Sequence, residues 1–119
     1  MINGFDEITR PLTDYERDVL LPVIAYGLSL KVGKATAITN GRICDALRSK
    51  GYKITEPRLR KIVNVIRTSG IVTNLIATSK GYHIATSLDE MEDYIESLKA
   101  RESAIRDVRI ALEGQKSAL

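Results

Sequence analysis

The spacing of the apolar residues changes at Gly70, and this change constrains the fold more than any other feature of the sequence. Before Gly70, apolar residues recur at i, i+3, i+4 and i+7, the spacing of one buried helix face. These residues are Leu59, Ile62, Val63 and Ile66. After Gly70, two strand-like segments, Ile71–Thr78 and Tyr82–Ala85, are separated by a Ser-Lys-Gly turn. We therefore expect a helix that ends at Gly70, followed by a small antiparallel hairpin.

A first helix is expected near residue 13, where Thr13 and Glu16 have the spacing of a capping box. Its apolar residues lie close to an i, i+4 row that would face the core. This row consists of Tyr15, Val19, Val23, Ile24 and Leu28. Pro22 lacks the N–H that would bond to residue 18, so it predicts a kink within the helix.

A second helix, Asn40–Lys50, is expected between this helix and the one that ends at Gly70. Thr39 and Thr55 have side chains suited to cap the second and third helices, and Gly51 is suited to end the second. Residues 37–38 could form a very short strand ahead of Thr39. The second and third helices would then be joined by a short turn.

The C-terminal region predicts one long helix, opened by a capping box of Ser87 and Glu90 and running to about Leu112. Its apolar residues recur with a heptad-like spacing, interrupted midway by Arg101 and Glu102. They are Met91, Tyr94, Ile95, Leu98, Ile105, Val108 and Leu112, and we expect them to form a homodimer interface. The alternatives are that the helix packs back along its own domain or against another protein.

The expected fold class is therefore mainly α with a small β-hairpin (α+β). We expect an N-terminal arm over residues 1–12, a domain over residues 13–86, and a C-terminal helix over residues 87–119 that mediates self-association. A chain of 119 residues is in the size range of one domain.

Basic residues gather between Lys34 and Gly70, where nine Lys or Arg stand against two acids, a local net charge of +7. The whole chain has 18 bases and 15 acids, a net charge of only +3. Acids predominate on both sides, with five against three bases in residues 1–33 and eight against four in residues 86–113. Basic charge confined to one segment is typical of a face that binds a polyanion. The alternative is a solvated basic surface that has no partner.

Three helices followed by a two-stranded hairpin resemble the winged helix-turn-helix domain. The helix pair ITNGRICDALRSKGYKITEPRLRKIVNVIRTSG and the hairpin IVTNLIATSKGYHIAT carry this resemblance, within a match of about residues 13–85. The chain looks similar to small winged-helix proteins encoded by phages and mobile elements. The resemblance implies that the helix after Thr55 lies in the major groove of DNA and that the hairpin tip touches phosphate or the minor groove.

The helix that begins after Thr55 exposes a polar face with Arg and Lys to contact guanine or phosphate and Asn64 to contact adenine. The residues expected to face DNA are Arg58, Arg60, Lys61, Asn64 and Arg67, with Arg42, Arg48, Lys53 and Lys80 anchoring phosphates. Lys80 is the only Lys or Arg of the hairpin, so contact between the hairpin and DNA is an open question. Because aromatic residues are few, we expect duplex rather than single-stranded DNA.

The sequence offers no constellation of catalytic residues, so we expect no enzyme, no cofactor, no metal and no small-molecule ligand. Gly33-Lys34-Ala35-Thr36 fails the phosphate-loop pattern, because Ala35 stands where Ser or Thr is required. The single cysteine, Cys44, should fill core space, and His83 should be a surface or half-buried strand residue. No apolar run is long enough to span a bilayer, no secretory signal is evident, and one cysteine fits a reducing cytoplasm.

The leading functional hypothesis is sequence-dependent binding of double-stranded DNA by a small dimeric transcriptional regulator or accessory protein. The competing hypothesis is a non-enzymatic protein-interaction module that uses the winged-helix shape and the C-terminal helix.

Overall fold

The structure, a computed structural model, describes residues 8–119. The chain divides between Thr86 and Ser87 into two compact units. Most of the expected N-terminal arm, residues 1–7, lies outside the described residues, and Ile8 and Thr9 are helical. Among the helices that the structure describes, none combines the length and the apolar character required to cross a bilayer.

The first unit is built from helices and one hairpin, and the second unit is almost entirely one helix. The elements of the first unit are a π-helical stretch Glu16–Leu20, α1 Leu21–Ser29, a 3-10 turn Lys34–Thr36, α2 Asn40–Ser49, α3 Glu56–Ser69, β1 Leu75–Thr78 and β2 Gly81–Ile84. The second unit contains α4, Leu88–Gln115, and a 3-10 turn, Lys116–Ala118. This order confirms the predicted fold class, mainly α with a small antiparallel hairpin and a long C-terminal helix.

Side-chain caps fix where the helices begin. The Thr39, Thr55 and Ser87 hydroxyl oxygens accept backbone N–H groups at 3.2, 3.4 and 3.1 Å. At the first helix, the Glu16 N–H donates to Thr13 Oγ1 at 3.1 Å and the Thr13 N–H donates to Glu16 Oε1 at 2.8 Å. Both halves of the predicted Thr13–Glu16 capping box are therefore present, and each satisfies a backbone donor left free at the helix start.

The helix that contains Pro22 differs from its predicted form. The stretch before the proline is π-helical, with the Leu21 N–H bonded to the carbonyl oxygen of Glu16, five residues earlier. The predicted buried row is confirmed for Ile24 and Leu28 but is wrong for Tyr15, Val19 and Val23, which are 42%, 39% and 37% exposed. Glu16 and Leu20 are buried in their place. A local sequence pattern could not predict this row, because its first member is a carboxylate that is buried only with a distant partner.

The core of the first unit lies between its three helices and the hairpin. The predicted apolar face of α3 is confirmed: Leu59, Ile62, Val63 and Ile66 are each no more than 1% exposed. They join Leu20, Ile24 and Leu28 from the first helix, Ile43, Cys44 and Leu47 from α2, and Leu75 from β1 in one apolar cluster. The packing of α3 at the centre of this cluster fixes which of its side chains can reach solvent.

The two hairpin strands pair from Leu75 opposite Ile84 to Thr78 opposite Gly81. The predicted first strand began at Ile71 and is too long, because Asn74 adopts a left-handed conformation with φ 60° that ends extended pairing. The very short strand expected at residues 37–38 is a single bridge between Ile38 and Tyr82. The backbone groups of these two residues exchange hydrogen bonds of 3.0 and 2.8 Å.

Gly81 lies at this bridge and is required there by space. Its φ is 115°, and a Cβ added to it would be 2.2 Å from the carbonyl oxygen of Ile38. Only a residue without a side chain lets the two backbones approach so closely. Gly81 thus sets the hairpin against the segment that leads into α2.

Candidate nucleic-acid interface

α3 presents a polar side opposite its buried row. Arg60, Asn64 and Thr68 are exposed, and Lys61 is half-buried. The Arg60 guanidinium lies 3.9 Å from the Glu56 carboxylate, with both side chains about half exposed. A pair at this distance in solvent is weak, so Arg60 can exchange Glu56 for another anion. Asn64 donates no side-chain hydrogen bond to the residues described here, and its amide is available to a partner.

Arg58 does not belong to this face, and the prediction that it contacts DNA is wrong. Its side chain is buried, with Nε 2.8 Å from Glu16 Oε2 and Nη2 2.7 Å from Glu16 Oε1. Two further guanidinium donors, from Nη1 and Nη2, reach the carbonyl oxygens of Arg10 at 2.9 Å and Pro11 at 3.0 Å. Arg58 precedes the buried Leu59 and lies one turn before the buried Ile62, which places it at the edge of the core side.

The pairing with Arg58 determines the charge state of Glu16. The Arg58 hydrogen bonds are the main cause that lowers the pKa of Glu16 from 4.5 to about 2, against the opposing effect of burial, and the Thr13 hydrogen bonds add to the lowering. Glu16 therefore remains a carboxylate at any pH near neutral. The Glu16–Arg58 pair links the start of the first helix to α3. Its role is therefore to orient α3 and not to bind a ligand.

Arg67 is only partly available for contact. It is half-buried, and its Nε donates to the carbonyl oxygen of Leu75 at 3.2 Å. This bond ties the end of α3 to the first strand of the hairpin.

The four expected phosphate anchors are all exposed, on α2, on the link to α3 and on the hairpin turn. They are Arg42, Arg48, Lys53 and Lys80. Arg48 is partly engaged within the fold, because its Nε donates a hydrogen bond to the carbonyl oxygen of Ile54 at 3.0 Å. Its ion pair with Asp45 is long at 4.0 Å and exposed. The Lys53 backbone is held by the Tyr15 hydroxyl at 3.3 Å, which leaves the ammonium group in solvent.

Asn40 joins three elements next to this basic surface, a role that the sequence reasoning missed. Its Nδ2 donates to the carbonyl oxygen of Glu56 at 3.2 Å, and its Oδ1 accepts the Tyr82 hydroxyl at 3.0 Å. The start of α2, the start of α3 and strand β2 are thereby fixed to one another. No local pattern shows this junction, since the three residues are far apart in the sequence.

Lys34 is a second omission from the expected site residues. It is exposed, and together with Lys80 and the hairpin-turn hydroxyls of Thr78 and Ser79 it lines a shallow pocket of about 380 Å³. The charge count had placed Lys34 in the basic segment, but only the fold brings it beside Lys80. The hairpin turn is therefore more basic than its own sequence indicated.

His83 and Cys44 are both interior residues. His83 is 1% exposed, so the expectation of a surface or half-buried histidine is wrong; it alternates along β2 with the half-buried Tyr82 and Ile84 and lies on the opposite face. Cys44 is fully buried, which confirms its predicted place in the core, and burial raises the pKa of its thiol. Within residues 8–119, no three His, Cys, Asp or Glu side chains are grouped so as to hold a metal ion.

No protein-family model, no curated protein and no solved structure matches this chain. The functional argument therefore depends on the geometry and charge of the chain itself.

Proposed function

We propose that the first unit is a winged helix-turn-helix domain that binds double-stranded DNA through α3, in a small dimeric regulator or DNA accessory protein. The single observation that carries this proposal is the exposed side of α3, where Arg60, Lys61 and Asn64 lie opposite a completely buried apolar row. A polar helix face usually mixes charges of both signs, and here Glu56 in the first turn is the only acid. A positive face on one helix fits the major groove, which admits an α-helix.

Other elements of the first unit supply further positive charge. Arg42 and Lys53 come from α2 and the link after it, and Lys34 and Lys80 share the pocket at the hairpin turn. Lys and Arg beside a recognition helix position it on the phosphate backbone, while side chains in the groove read the bases. Asn64 would pair with adenine, and Arg60 would bind guanine or a phosphate.

Fluorescence anisotropy with a random-sequence duplex at two salt concentrations tests the proposal. Replacing Arg42, Arg60 and Lys61 by Ala should weaken binding at least about tenfold, because each lost phosphate contact removes counterion release. Lys61→Ala alone should weaken binding to every sequence and flatten the salt slope by about one. Asn64→Ala should instead reduce discrimination at one or two base positions.

The matched control is a triple Ala variant of Arg10, Arg17 and Lys31, which removes the same charge from the first unit outside the basic segment, at two exposed positions and one half-buried position. It should retain the wild-type affinity within about twofold if the geometry of the face matters, rather than net charge alone. If both triple variants are folded and lose DNA affinity equally, the proposal that α3 is the DNA-binding face is wrong.

A second candidate function is favoured by the exposed apolar residues of α4, of which Ile105 is 70% exposed. In this alternative the chain is a protein-interaction module, and its basic face meets an acidic protein. Weak, salt-insensitive retention on DNA together with a stable complex with another protein would favour it over DNA binding.

A further inference from the structure

α4 is a helix without a buried residue along its whole length from Leu88 to Gln115. In its second half, the apolar side chains of Ile105, Val108 and Leu112 are 70%, 59% and 57% exposed. With Ala104 they form an apolar strip along one face of the helix, flanked by the charged residues Arg109, Glu113 and Lys116. An apolar strip with charged flanks is the composition of a protein interface rather than of an isolated surface helix.

These residues continue a heptad row along α4. Leu98, Ile105 and Leu112 are seven residues apart, and Val108 is three residues after Ile105. We call these four residues the α4 seam. Arg101, three residues after Leu98, occupies the position that corresponds to Val108 one heptad earlier and is exposed. A basic side chain at a seam position selects among the possible pairings, because two copies of it cannot be placed in contact.

The charge of α4 is divided along its axis. Residues 88–98 contain five acids and no base, whereas residues 99–116 contain five bases and three acids. The first part therefore has a net charge of −5 and the second a net charge of +2. The acids are Asp89, Glu90, Glu92, Asp93 and Glu96, of which all but the half-buried Glu90 are exposed.

We propose that two copies of this chain associate through the α4 seam with their helices antiparallel. In a parallel, in-register pair, Arg101 would lie beside its own copy and the two acidic parts would be adjacent, so like charges would meet twice. Reversing one helix places the two acidic parts at opposite ends of the pair and separates the two Arg101 side chains along the axis. The seam supplies the apolar contact in both orientations, and the charges decide between them.

A row on one flank of the seam supports the same orientation. Glu102, Arg109 and Lys116 are seven residues apart, so they share one flank, and the row changes from acidic to basic toward the C-terminus. In an antiparallel pair, equivalent flanks face each other and Glu102 lies on the side of the partner's basic residues. In a parallel pair, this row would face the other flank, where Ser97, Ala104 and Ala111 offer no charge. Arg109 now pairs with Glu113 on its own helix, an exposed contact that is easily exchanged.

The inference rests on the self-association included in the proposed function but does not depend on DNA binding. Its experiments use the full chain without DNA, so failure here and failure of DNA binding are separate results. Sedimentation over a range of concentrations should show a monomer–dimer equilibrium. Raising the salt concentration should weaken the dimer, because the contacts of Glu102 with the basic residues on the facing flank of the partner are attractive; a parallel pair of like charges would instead be strengthened by salt.

Two isoleucine variants form a matched pair for the seam. Ile105→Asp introduces a charge on the seam and should weaken the dimer by roughly tenfold or more, as for the loss of a central interface residue. Ile110→Asp makes the same chemical change on the same helix, at a residue that is 55% exposed but lies five positions away, about 140° around the helix. It should leave the equilibrium unchanged.

The orientation follows from nitroxide labels on introduced cysteines, with the distance between copies measured by electron–electron double resonance. Cys44 is fully buried and should not be labelled, so the wild-type chain is the labelling control. In an antiparallel dimer centred between residues 103 and 107, labels at Arg106→Cys should be close, whereas labels at Gly114→Cys should be separated by roughly 20–35 Å along the axis. A parallel dimer would give short distances at both positions.

Three results would overturn the inference. They are a monomer at all concentrations, equal effects of Ile105→Asp and Ile110→Asp, and a short distance between labels at position 114. The expected combination is a salt-weakened dimer, a selective effect of Ile105→Asp and a long distance at position 114.

Discussion

Arg58 and Arg60 are two residues apart on α3 and have opposite surroundings. Arg58 is 5% exposed and forms two hydrogen bonds to the Glu16 carboxylate, whereas the Arg60 side chain is half exposed with a weak contact to Glu56. Removing one member of a buried ion pair leaves an uncompensated charge, which is more costly than any loss at the surface. Substitution of Arg58 therefore tests the stability of the fold, and substitution of Arg60 tests DNA binding.

Arg58→Met should lower the free energy of unfolding by about 3 kcal/mol, because the Glu16 carboxylate remains buried without its partner. Arg60→Met should change it by no more than about 0.5 kcal/mol and should weaken DNA binding instead. Urea unfolding and anisotropy on both variants measure the two effects. If Arg58→Met left stability intact while weakening DNA affinity, the assignment of Arg58 to the interior would be wrong.

The lowered pKa of Glu16 predicts an acid-sensitive fold. Its folded-state pKa of about 2 lies below the ordinary value of 4.5, so between these pH values the unfolded chain binds a proton that the folded chain does not. The stabilisation, of order 3 kcal/mol, is present above pH 4.5 and is lost as the pH falls toward 2. Urea unfolding at pH 3 and pH 6 should show this loss in the wild type and much less of it in Glu16→Gln.

The exposed Glu56 provides the control for this measurement. Glu56→Gln should leave the pH dependence between 2 and 4.5 close to that of the wild type, since the Glu56 carboxylate is half exposed and its contact with Arg60 is weak. The same pH dependence in wild type and Glu16→Gln would show that another group is responsible.

Among the structural elements, the hairpin depends on one close backbone approach. Gly81→Ala should destabilise the first unit by roughly 2–4 kcal/mol, because the new Cβ would lie 2.2 Å from the Ile38 carbonyl oxygen in a backbone region that alanine avoids. Gly51→Ala is the control: φ there is also positive, at 91°, but no atom lies within 4 Å. It should cost only about 1 kcal/mol. Thermal unfolding of both variants distinguishes the steric clash at position 81 from the backbone strain of a positive φ. Equal losses of stability in the two variants would contradict the close approach of Gly81 to Ile38.

Elements with a strong local signal could be predicted from the sequence, and those that depend on distant partners could not. The face of α3 has an uninterrupted helical period, and all four predicted residues are buried. The burial of Arg58 could not be predicted in this way, because it requires Glu16, 42 residues earlier. The start of β1 was predicted too early, because Asn74 is compatible with both extended and left-handed backbone and the fold selects the second.

The candidate site shows the same division between local and distant information. Arg60, Lys61 and Asn64 follow from the helical period alone, since they lie opposite the buried row. The Asn40 junction and the proximity of Lys34 to Lys80 require contacts between separate segments, which one sequence does not specify. Local patterns therefore predicted the exposed face of α3. They did not predict Asn40, which fixes α3 to its neighbouring elements, or Lys34, which adds positive charge beside Lys80.

At the scale of the whole molecule, charge is arranged in blocks along the chain. The basic segment between Lys34 and Gly70 lies in the first unit, and the five acids of residues 88–98 open the second. In the proposed DNA complex, the acidic block would repel the phosphate backbone from that part of the chain. In the proposed dimer, two basic segments would be available to one duplex, and half-sites about one helical turn apart would match a two-fold axis.

The Glu16–Arg58 pair also has a consequence for how the chain folds. The same carboxylate accepts the Thr13 N–H at the first turn of a helix and two guanidinium donors from a residue 42 positions later. Closing a loop of this length loses chain entropy before any contact is gained. The helix start should therefore become fully ordered only when α3 is in place, which links a local turn to the slowest, long-range step of folding. Amide exchange at Thr13 would then report on global unfolding rather than on fraying of a terminal helix.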